Sequence, residues 1–518
     1  YIFDLKHKYS FNDKSKKISN KFKNILFIAN LASKNNSVDP LEQELNKKFL
    51  QIMPNEYKEY SNFELVKEYP LNQNLFVVTR VYQNLIGNSK IVSAKGSPED
   101  ILKICNLSET QKNSIMDKVY EMAKNGQRIL GVAHATYDND KLPKSVDKFD
   151  FEFLGLVSFN DNIRKDVNKS VQKCYKAGIR VIMITGDYPA TAQFIAKQAG
   201  IENYESYLTG ADLNKLSTKE LQNKIQSVNI FARIVPEQKL KIVQALKNNG
   251  HVVAMTGDGV NDGPALKSAN IGISMGQRGT DVARESSDLV LLDDNFNSIV
   301  SAITLGRRIY DNIQKAVSYI FSIHIPIAGV ALIPVFFGLP PVLYAIHIAF
   351  FEFIIDPAYS AVFEAYPGDK NLMKRKPRNI SKPLFYGTNL YVSLFQGIVI
   401  LITVLLIYIL AYDLGYSQNV ARSMAFTALI LSNLLLIITN LSDHPVFNLS
   451  KLYINKSFYY LFGIVFLVIL IYLNNSFVQQ FFRIDSLGLI QIILVILTVA
   501  VTFFSLEIVK LFRNFIKN

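Results

Sequence analysis

The sequence predicts a multidomain chain, α/β in front and helical behind: a doubly wound α/β domain over 151–313, preceded by further soluble chain, and a six-helix transmembrane domain over 314–518. Three observations carry this. At 518 residues the chain is too long for one ordinary domain. Its apolar residues, 49% of the whole, are unevenly placed: charges mix with short apolar runs up to about residue 312, and long apolar stretches dominate after it. Residues 151–300 alternate apolar strand-like runs with amphipathic helical patterns, as a doubly wound sheet does.

A net charge of +13 would make nucleic acid a natural partner for a soluble chain. Here the basic residues are spread through the front and the loops between apolar segments, with no aromatic-interleaved basic stripe. Solubility and membrane orientation account for the charge, and nucleic acid is set aside. Cys105 and Cys174 form no C-x-x-C pair, so neither a disulfide framework nor a thiolate metal site is expected, and a reducing cytoplasm fits. The chain opens at Tyr1 without a basic-apolar leader; no signal peptide is expected, and an upstream part is expected to be missing.

Within 151–300, Gly178-Ile179-Arg180-Val181-Ile182-Met183-Ile184 ends in Thr185-Gly186-Asp187, and His251-Val252-Val253-Ala254-Met255 ends in Thr256-Gly257-Asp258-Gly259-Val260-Asn261-Asp262. Both are expected to be buried strands stopping at polar turns, and in such sheets a ligand binds at the carboxyl ends of the strands. Asp258 is a hard oxygen ligand suited to a Mg²⁺ that keeps some of its waters and bridges a phosphate. Thr185 and the amides near Gly186 can hydrogen-bond phosphoryl oxygens, and Lys239 in Pro236-Glu237-Gln238-Lys239 can neutralise their charge. Each signal alone is weak, because Gly-Asp dipeptides are common turn formers.

Six apolar stretches, roughly 315–337, 342–363, 390–411, 421–440, 458–474 and 487–508, are each near the ~20 residues a helix needs to cross a bilayer. Six crossings put Lys370, Lys374, Arg375, Lys376, Arg378, Lys382, Lys451, Lys456, Lys510, Arg513 and Lys517 on one side, and only Arg422 and Arg483 on the other. The positive-inside rule makes the soluble front cytoplasmic, and the plasma membrane is the expected site. Ionisable groups inside such helices are functional candidates. Glu352 and Asp356 stand four apart, one helical turn, so a cation could bind between them. Pro357 cannot donate a backbone N–H and would free carbonyl oxygens as further ligands. The alternative, a carboxylate pair neutralised by an Arg or Lys, lacks such a residue in mid-membrane. His324, two residues before Pro326, is a ligand or a packing residue.

The run Met255-Thr256-Gly257-Asp258-Gly259-Val260-Asn261-Asp262-Gly263-Pro264-Ala265-Leu266 closely resembles the hinge motif of P-type ATPases, a branch of the haloacid dehalogenase-like phosphotransferases. Further matches follow in the family's order. Asp39-Pro40-Leu41-Glu42, Glu68-Tyr69-Pro70-Leu71 and Lys95-Gly96-Ser97-Pro98-Glu99 resemble nucleotide-domain segments, and Asp161-Asn162-Ile163-Arg164 the opening of the phosphorylation domain. The resemblance implies ATP and Mg²⁺ as cofactors and a transported cation and the bilayer as partners. It makes 1–150 an α/β nucleotide-binding domain, incomplete at its start, and 151–313 a phosphorylation domain. By position, it puts Tyr69 on adenine, Lys95 and Gly96 in the ATP pocket, Arg128 near the nucleotide and Arg164 behind the phosphate region. It makes Asp258 the magnesium ligand, Lys239 the phosphate-contacting lysine, Asn261 and Asp262 the supports of that loop, and Thr185, Gly186 and Asp187 the second phosphate loop. For Tyr69 ordinary core packing is the competing reading.

There are departures. Asn162 and Ile163 replace the usual prolines. The family's phosphorylated Asp-Lys-Thr-Gly-Thr motif is absent, and Asp13-Lys14-Ser15 lacks its glycine and threonine, so this chain alone is not expected to turn over ATP. Either an upstream part is truncated or a separate polypeptide completes the pump. Six crossings resemble the calcium, sodium–potassium and proton pump branches rather than the heavy-metal branch. Against a calcium-pump pattern, His324, Ile327, Glu352 and Ile355 are replacements and only Asp356 is retained; two carboxylates still favour a hard cation or a proton. A membrane-anchored phosphatase of the same superfamily would leave Glu352 and Asp356 unexplained. A silent nucleotide-binding remnant or regulator would leave the intact 255–266 loop unexplained.

Overall fold

The computed structural model describes all residues except 5–6, 12–17, 35–36, 38, 55–62, 72–74, 86–88, 140, 161–162, 370, 380, 442–455 and 518. Asp13-Lys14-Ser15, Asp161, Asn162, Lys370 and Lys451 lie outside the described residues, as do the side chains of Ile355, Asp356, Arg513 and Lys517. The chain folds as two compact units, Tyr1–Tyr175 with Ile179–Ile299, and Lys176–Gly178 with Val300–Asn518.

The first unit begins with an antiparallel seven-stranded sheet built from β1 (Ile2–Phe3), β2 (Lys8–Tyr9), β3 (Phe63–Tyr69), β4 (Val77–Asn84), β5 (Lys90–Gly96), β6 (Gln127–Tyr137) and β7 (Glu152–Asn160), in the order β2-β1-β7-β6-β5-β4-β3. Strand side chains alternate between faces, and here both faces are covered. Val77, Val81 and Ala133 pack with Ile101, Ile115 and Val119 of α3 (Pro98–Ile104) and α4 (Glu109–Lys124). Their chain neighbours Tyr82 and Val132 pack on the other face with Leu26 and Phe49 of α1 (Asn20–Leu31) and α2 (Pro40–Ile52). Local chemistry sets the helix starts: Asp39 caps α2, its carboxylate accepting from the Leu41 amide at 2.7 Å, with Pro40 at the first turn where no amide is needed.

The rest of the unit alternates helices with two three-stranded parallel sheets. One joins β8 (Met183–Ile184), β10 (Ile230–Ala232) and β9 (Tyr207–Thr209) in the order β8-β10-β9; the other orders β11 (Ala254–Gly257), β12 (Ile271–Met275) and β13 (Leu289–Leu291) as written. Around them lie α5 (Val167–Lys176), α6 (Pro189–Ala199), α7 (Gly210–Lys215), α8 (Thr218–Lys224), α9 (Pro236–Asn248), α10 (Gly263–Ser268) and α11 (Asp281–Glu285). This corrects the expectation of two buried strands in one doubly wound sheet. Residues 179–185 are half-buried throughout, Val252 is 53% exposed, and Ala254 and Thr256 are exposed beside buried Met255. The reason is pairing: among the described residues β8 has only β10 beside it and β11 only β12, so each is an edge. Ile184 and Val253 nevertheless pack into the same two apolar clusters.

The second unit is helical. Among the described residues five helices are long and apolar enough to cross a membrane: α12 (Phe296–Phe336), α15 (Thr388–Asp413), α16 (Gln418–Leu441), α17 (Lys456–Asn474) and the stretch Leu489–Lys510 of α19 (Leu489–Lys517). The sixth expected crossing is broken into α13 (Ala345–Phe350), a π-helical stretch Phe351–Ile355 and α14 (Asp356–Glu364). A π turn carries one extra residue and sits here just before Pro357, which has no N–H for the α ladder. A short α18 (Ser476–Phe482) precedes α19. The most buried span is α16, packed against α15 and α19. One end of the bundle is fastened by Arg422, fully buried, which donates to the carbonyls of Pro341 (3.3 Å) and Arg483 and to Asn419 Oδ1 (2.9 Å) and lies over the Tyr344 ring.

Candidate functional sites

The turn after β8 is held from both sides. The Thr185 amide donates to the Phe231 carbonyl at 2.8 Å, the Thr185 carbonyl accepts from the Ile234 amide at 3.1 Å, and Thr185 Oγ1 accepts from the Asp187 amide at 3.1 Å. Gly186 faces open space: an added Cβ would meet only the Ile234 carbonyl, at 3.9 Å. The Asp187 carboxylate lies 3.3 Å from Arg128 Nε, so the structure brings those two expected residues together.

The turn after β11 is built around Asp262. Its carboxylate accepts from Lys239 Nζ at 2.6 Å and from the amides of Asp258 and Gly259 at 3.3 Å each. A carboxylate with two oxygens can serve all three donors, so one buried side chain both folds the loop and fixes the lysine. Gly257 is required by the same packing, because a Cβ there would fall 2.5 Å from Asp262 Cβ. Asn261 and Asp258 are exposed. Among the described residues no cluster of three His, Cys, Asp or Glu side chains forms a closed metal cage. The donor set fits a Mg²⁺ that keeps several waters and takes one or two carboxylates.

Arg233 was missed in the sequence. It stands in the left-handed region (φ +54°) and its amide donates to the Asp187 carbonyl at 3.1 Å. Its guanidinium meets both Glu99 oxygens at 2.8 and 2.9 Å and lies over the Tyr188 ring. Holding a non-glycine residue there costs on the order of 1–3 kcal/mol. The only signal was its place three residues before Pro236-Glu237-Gln238-Lys239, a run that drew notice for its lysine.

Lys95 lies on β5 and is buried, donating to Ser33 Oγ at 2.6 Å and Glu42 Oε1 at 2.5 Å. Burial holds the Lys95 ammonium below the usual lysine range. Glu42 belongs to the Asp39-Pro40-Leu41-Glu42 run, so two of the sequence segments meet here. Gly96 permits a close approach, since a Cβ would fall 2.7 Å from Val77 Cα. Tyr69 is buried, its ring meets Phe149 edge-on at 5.7 Å, and its hydroxyl donates to the Pro143 carbonyl at 2.5 Å, contacts that a packing residue makes. Arg164 reaches the Asp294 carbonyl and so supports the loop after β13.

In the second unit Glu352 sits in the π-helical stretch, which replaces the single α turn expected between Glu352 and Asp356. Its neighbour is His324, whose Nε2 lies 3.1 Å from Glu352 Oε1. His324 Nδ1 is 2.8 Å from the Ile320 carbonyl. A carbonyl can only accept, so Nδ1 carries a hydrogen, and the Nε2 contact is a hydrogen bond when one further proton is shared with Glu352. The sequence named both residues but not their pairing, which depends on how α12 lies beside the broken helix.

Residues 71–270 match the family model described as haloacid dehalogenase-like hydrolase, and residues 340–512 match that described as cation transporting ATPase, C-terminus. The chain belongs with the cation-transporting P-type ATPases. It is 34% identical over 486 residues to calcium-transporting ATPase 1 of Saccharomyces cerevisiae, covering 88% of this chain and 51% of the yeast protein. It is 36% identical over 348 residues to calcium-transporting ATPase 1 of Bacillus cereus, covering 65% and 39%, and 36% identical over 340 residues to the sodium/potassium-transporting ATPase subunit alpha-3 of Gallus gallus, covering 56% and 34%. The chain therefore spans about half or less of these P-type relatives' lengths. The first match includes the turns after β8 and β11 with Lys239, and the second includes Glu352 and the spans from α13 into α19.

Proposed function

We propose that the chain is the nucleotide-binding, phosphate-handling and later membrane part of an ATP-driven cation pump. Residues 1–150 form the nucleotide-binding domain, 151–313 the phosphorylation domain and 314–518 a six-crossing transmembrane domain whose second crossing is the broken helix. The observation that carries the reading is the Asp262 carboxylate fixing Lys239 and the Asp258 loop together, a phosphate-neutralising cation beside a hard-metal ligand. Lys239, Thr185 and the amides near Gly186 bind the phosphoryl group; Asp187, Asn261 and Asp262 hold the two loops. Lys95, Gly96 and Arg128 serve the nucleotide. Asp258 would hold Mg²⁺, which neutralises phosphate charge and orients the transfer.

The open edges of β8 and β11 support a further detail. A parallel strand between them would unite the two small sheets, and its carboxyl end would bring a phosphorylated aspartate to the turns after β8 and β11. The transported species at Glu352 and Asp356 is a hard cation or a proton, with the soluble part on the cytoplasmic side of the plasma membrane. The test is Asp258→Asn in the complete pump: Mg²⁺-dependent phosphoenzyme should be lost, and normal labelling would refute the role of Asp258.

A further inference from the structure

Residues 374–382 carry Lys374, Arg375, Lys376, Arg378 and Lys382, five cations in nine residues with no carboxylate. The segment is held in place. Arg307 donates to the carbonyls of Leu372 and Arg375 at 2.8 and 2.7 Å, Gln314 donates to the Leu384 carbonyl at 3.1 Å, and Leu372 is buried. All five cations are nonetheless exposed. Among the described residues only Arg375 meets a carboxylate, Asp311 at 2.5 Å. Arg378 lies over the Tyr310 ring at 4.5 Å and Lys382 over the Tyr386 ring at 5.5 Å. Aromatic faces orient a cation without cancelling its charge, so the loop presents a fixed array of positive groups.

Its position says what the array faces. Six residues after Lys382 the membrane-length helix α15 begins, and Tyr386 and Tyr391 are exposed at that start. The same pairing recurs where α17 begins, with Lys456 followed by exposed Tyr459 and Tyr460. Exposed tyrosines at the mouth of a span mark headgroup depth, and clustered cations there attract anionic lipid.

We propose that the loop between α14 and α15 is a binding surface for anionic phospholipid headgroups. The surface is built from Lys374, Lys376, Arg378 and Lys382, with Tyr386 and Tyr391 at the acyl boundary. It rests on the reading that α15 crosses a bilayer. Each cation near such a surface strengthens headgroup binding by about fivefold.

The experiment uses the full chain in phosphatidylcholine vesicles holding a minor share of phosphatidylserine, read by electron spin resonance of spin-labelled forms of either lipid. The expected result is a larger motionally restricted fraction for phosphatidylserine than for phosphatidylcholine, an excess lost in the K374Q/K376Q/K382Q variant and at high salt. A K215Q/K219Q/K224Q variant, with the same change of charge on the other unit, should keep the excess. Equal restriction of the two lipids by the unaltered chain, survival of the excess in the loop variant, or equal loss in both variants would overturn the proposal. Retention of polyglutamate by the loop without any phosphatidylserine excess would overturn it in favour of an acidic protein partner. No restricted component for either lipid would overturn the membrane reading itself.

Discussion

Replacing Asp262 with alanine should release the loop that carries Asp258, and the size of the effect can be worked from its bonds. The side chain is only 7% exposed. It accepts one short charge-assisted bond from Lys239, at 2.6 Å, and two long amide bonds, at 3.3 Å. The first contributes about 2 kcal/mol and each of the others about 0.5 kcal/mol, roughly 3 kcal/mol in all. A local opening eased by that amount becomes about a hundredfold more populated. Hydrogen–deuterium exchange of the full chain in lipid discs reads this directly: the amides of Asp258 and Gly259 should exchange about a hundredfold faster, while those of β5 keep their rates. Asp262→Asn, which retains an acceptor but loses the charge, should fall between. Unchanged protection at Asp258 and Gly259 would refute the idea that this carboxylate holds the loop.

Arg422→Ala leaves the carbonyls of Pro341 and Arg483 without their buried donor and should destabilise the membrane unit by at least about 3 kcal/mol; a thermal-unfolding midpoint equal to the unaltered chain's would contradict this. Acid should weaken the closure around Lys95. Burial alone would raise the Glu42 carboxyl, but hydrogen bonds from Lys95 and Ser37 hold it below the 4.5 of an ordinary glutamate. A lowered carboxyl contributes stability that is complete above pH 4.5 and is lost as pH falls through the folded-state value. Melting curves between pH 6 and pH 3 should therefore fall less steeply for Glu42→Gln, and parallel curves would count against the pairing.

Much of the membrane half was legible because a span needs only ~20 apolar residues, a property of the run itself. The apolar stretch drawn from about 315 is only the later part of α12, which runs back to Phe296 through a segment where Arg307 and Arg308 interrupt the apolar run. The interruption at Phe351–Ile355 was half visible: Pro357 announced a weakened helix, whereas an extra residue in the turn depends on packing. At the proposed phosphate site Asp258, Asp262 and Lys239 could be named because their residue types and glycine spacing suit the chemistry. Arg233 could not, since its role comes from a backbone twist and from Glu99, far away in the chain. Tyr69 shows the limit in the other direction: an aromatic on a strand reads alike whether its face meets a ligand or a core. The run from Ile179 to Ile184 read as buried because its composition is apolar, but burial is decided by strands beside it.

Those open edges also govern how the chain behaves when produced by itself. β8 and β11 each offer half a ladder of amides and carbonyls, and the first lies in a run of isoleucine, valine and methionine. A row of that kind recruits whatever extended segment is near, including the same run on a second molecule. Among the described residues these edges are unpaired, so self-association of the isolated chain is expected to run through them as well as through its apolar helices. A single lysine in place of exposed Ala254, on β11 itself, would blunt that edge.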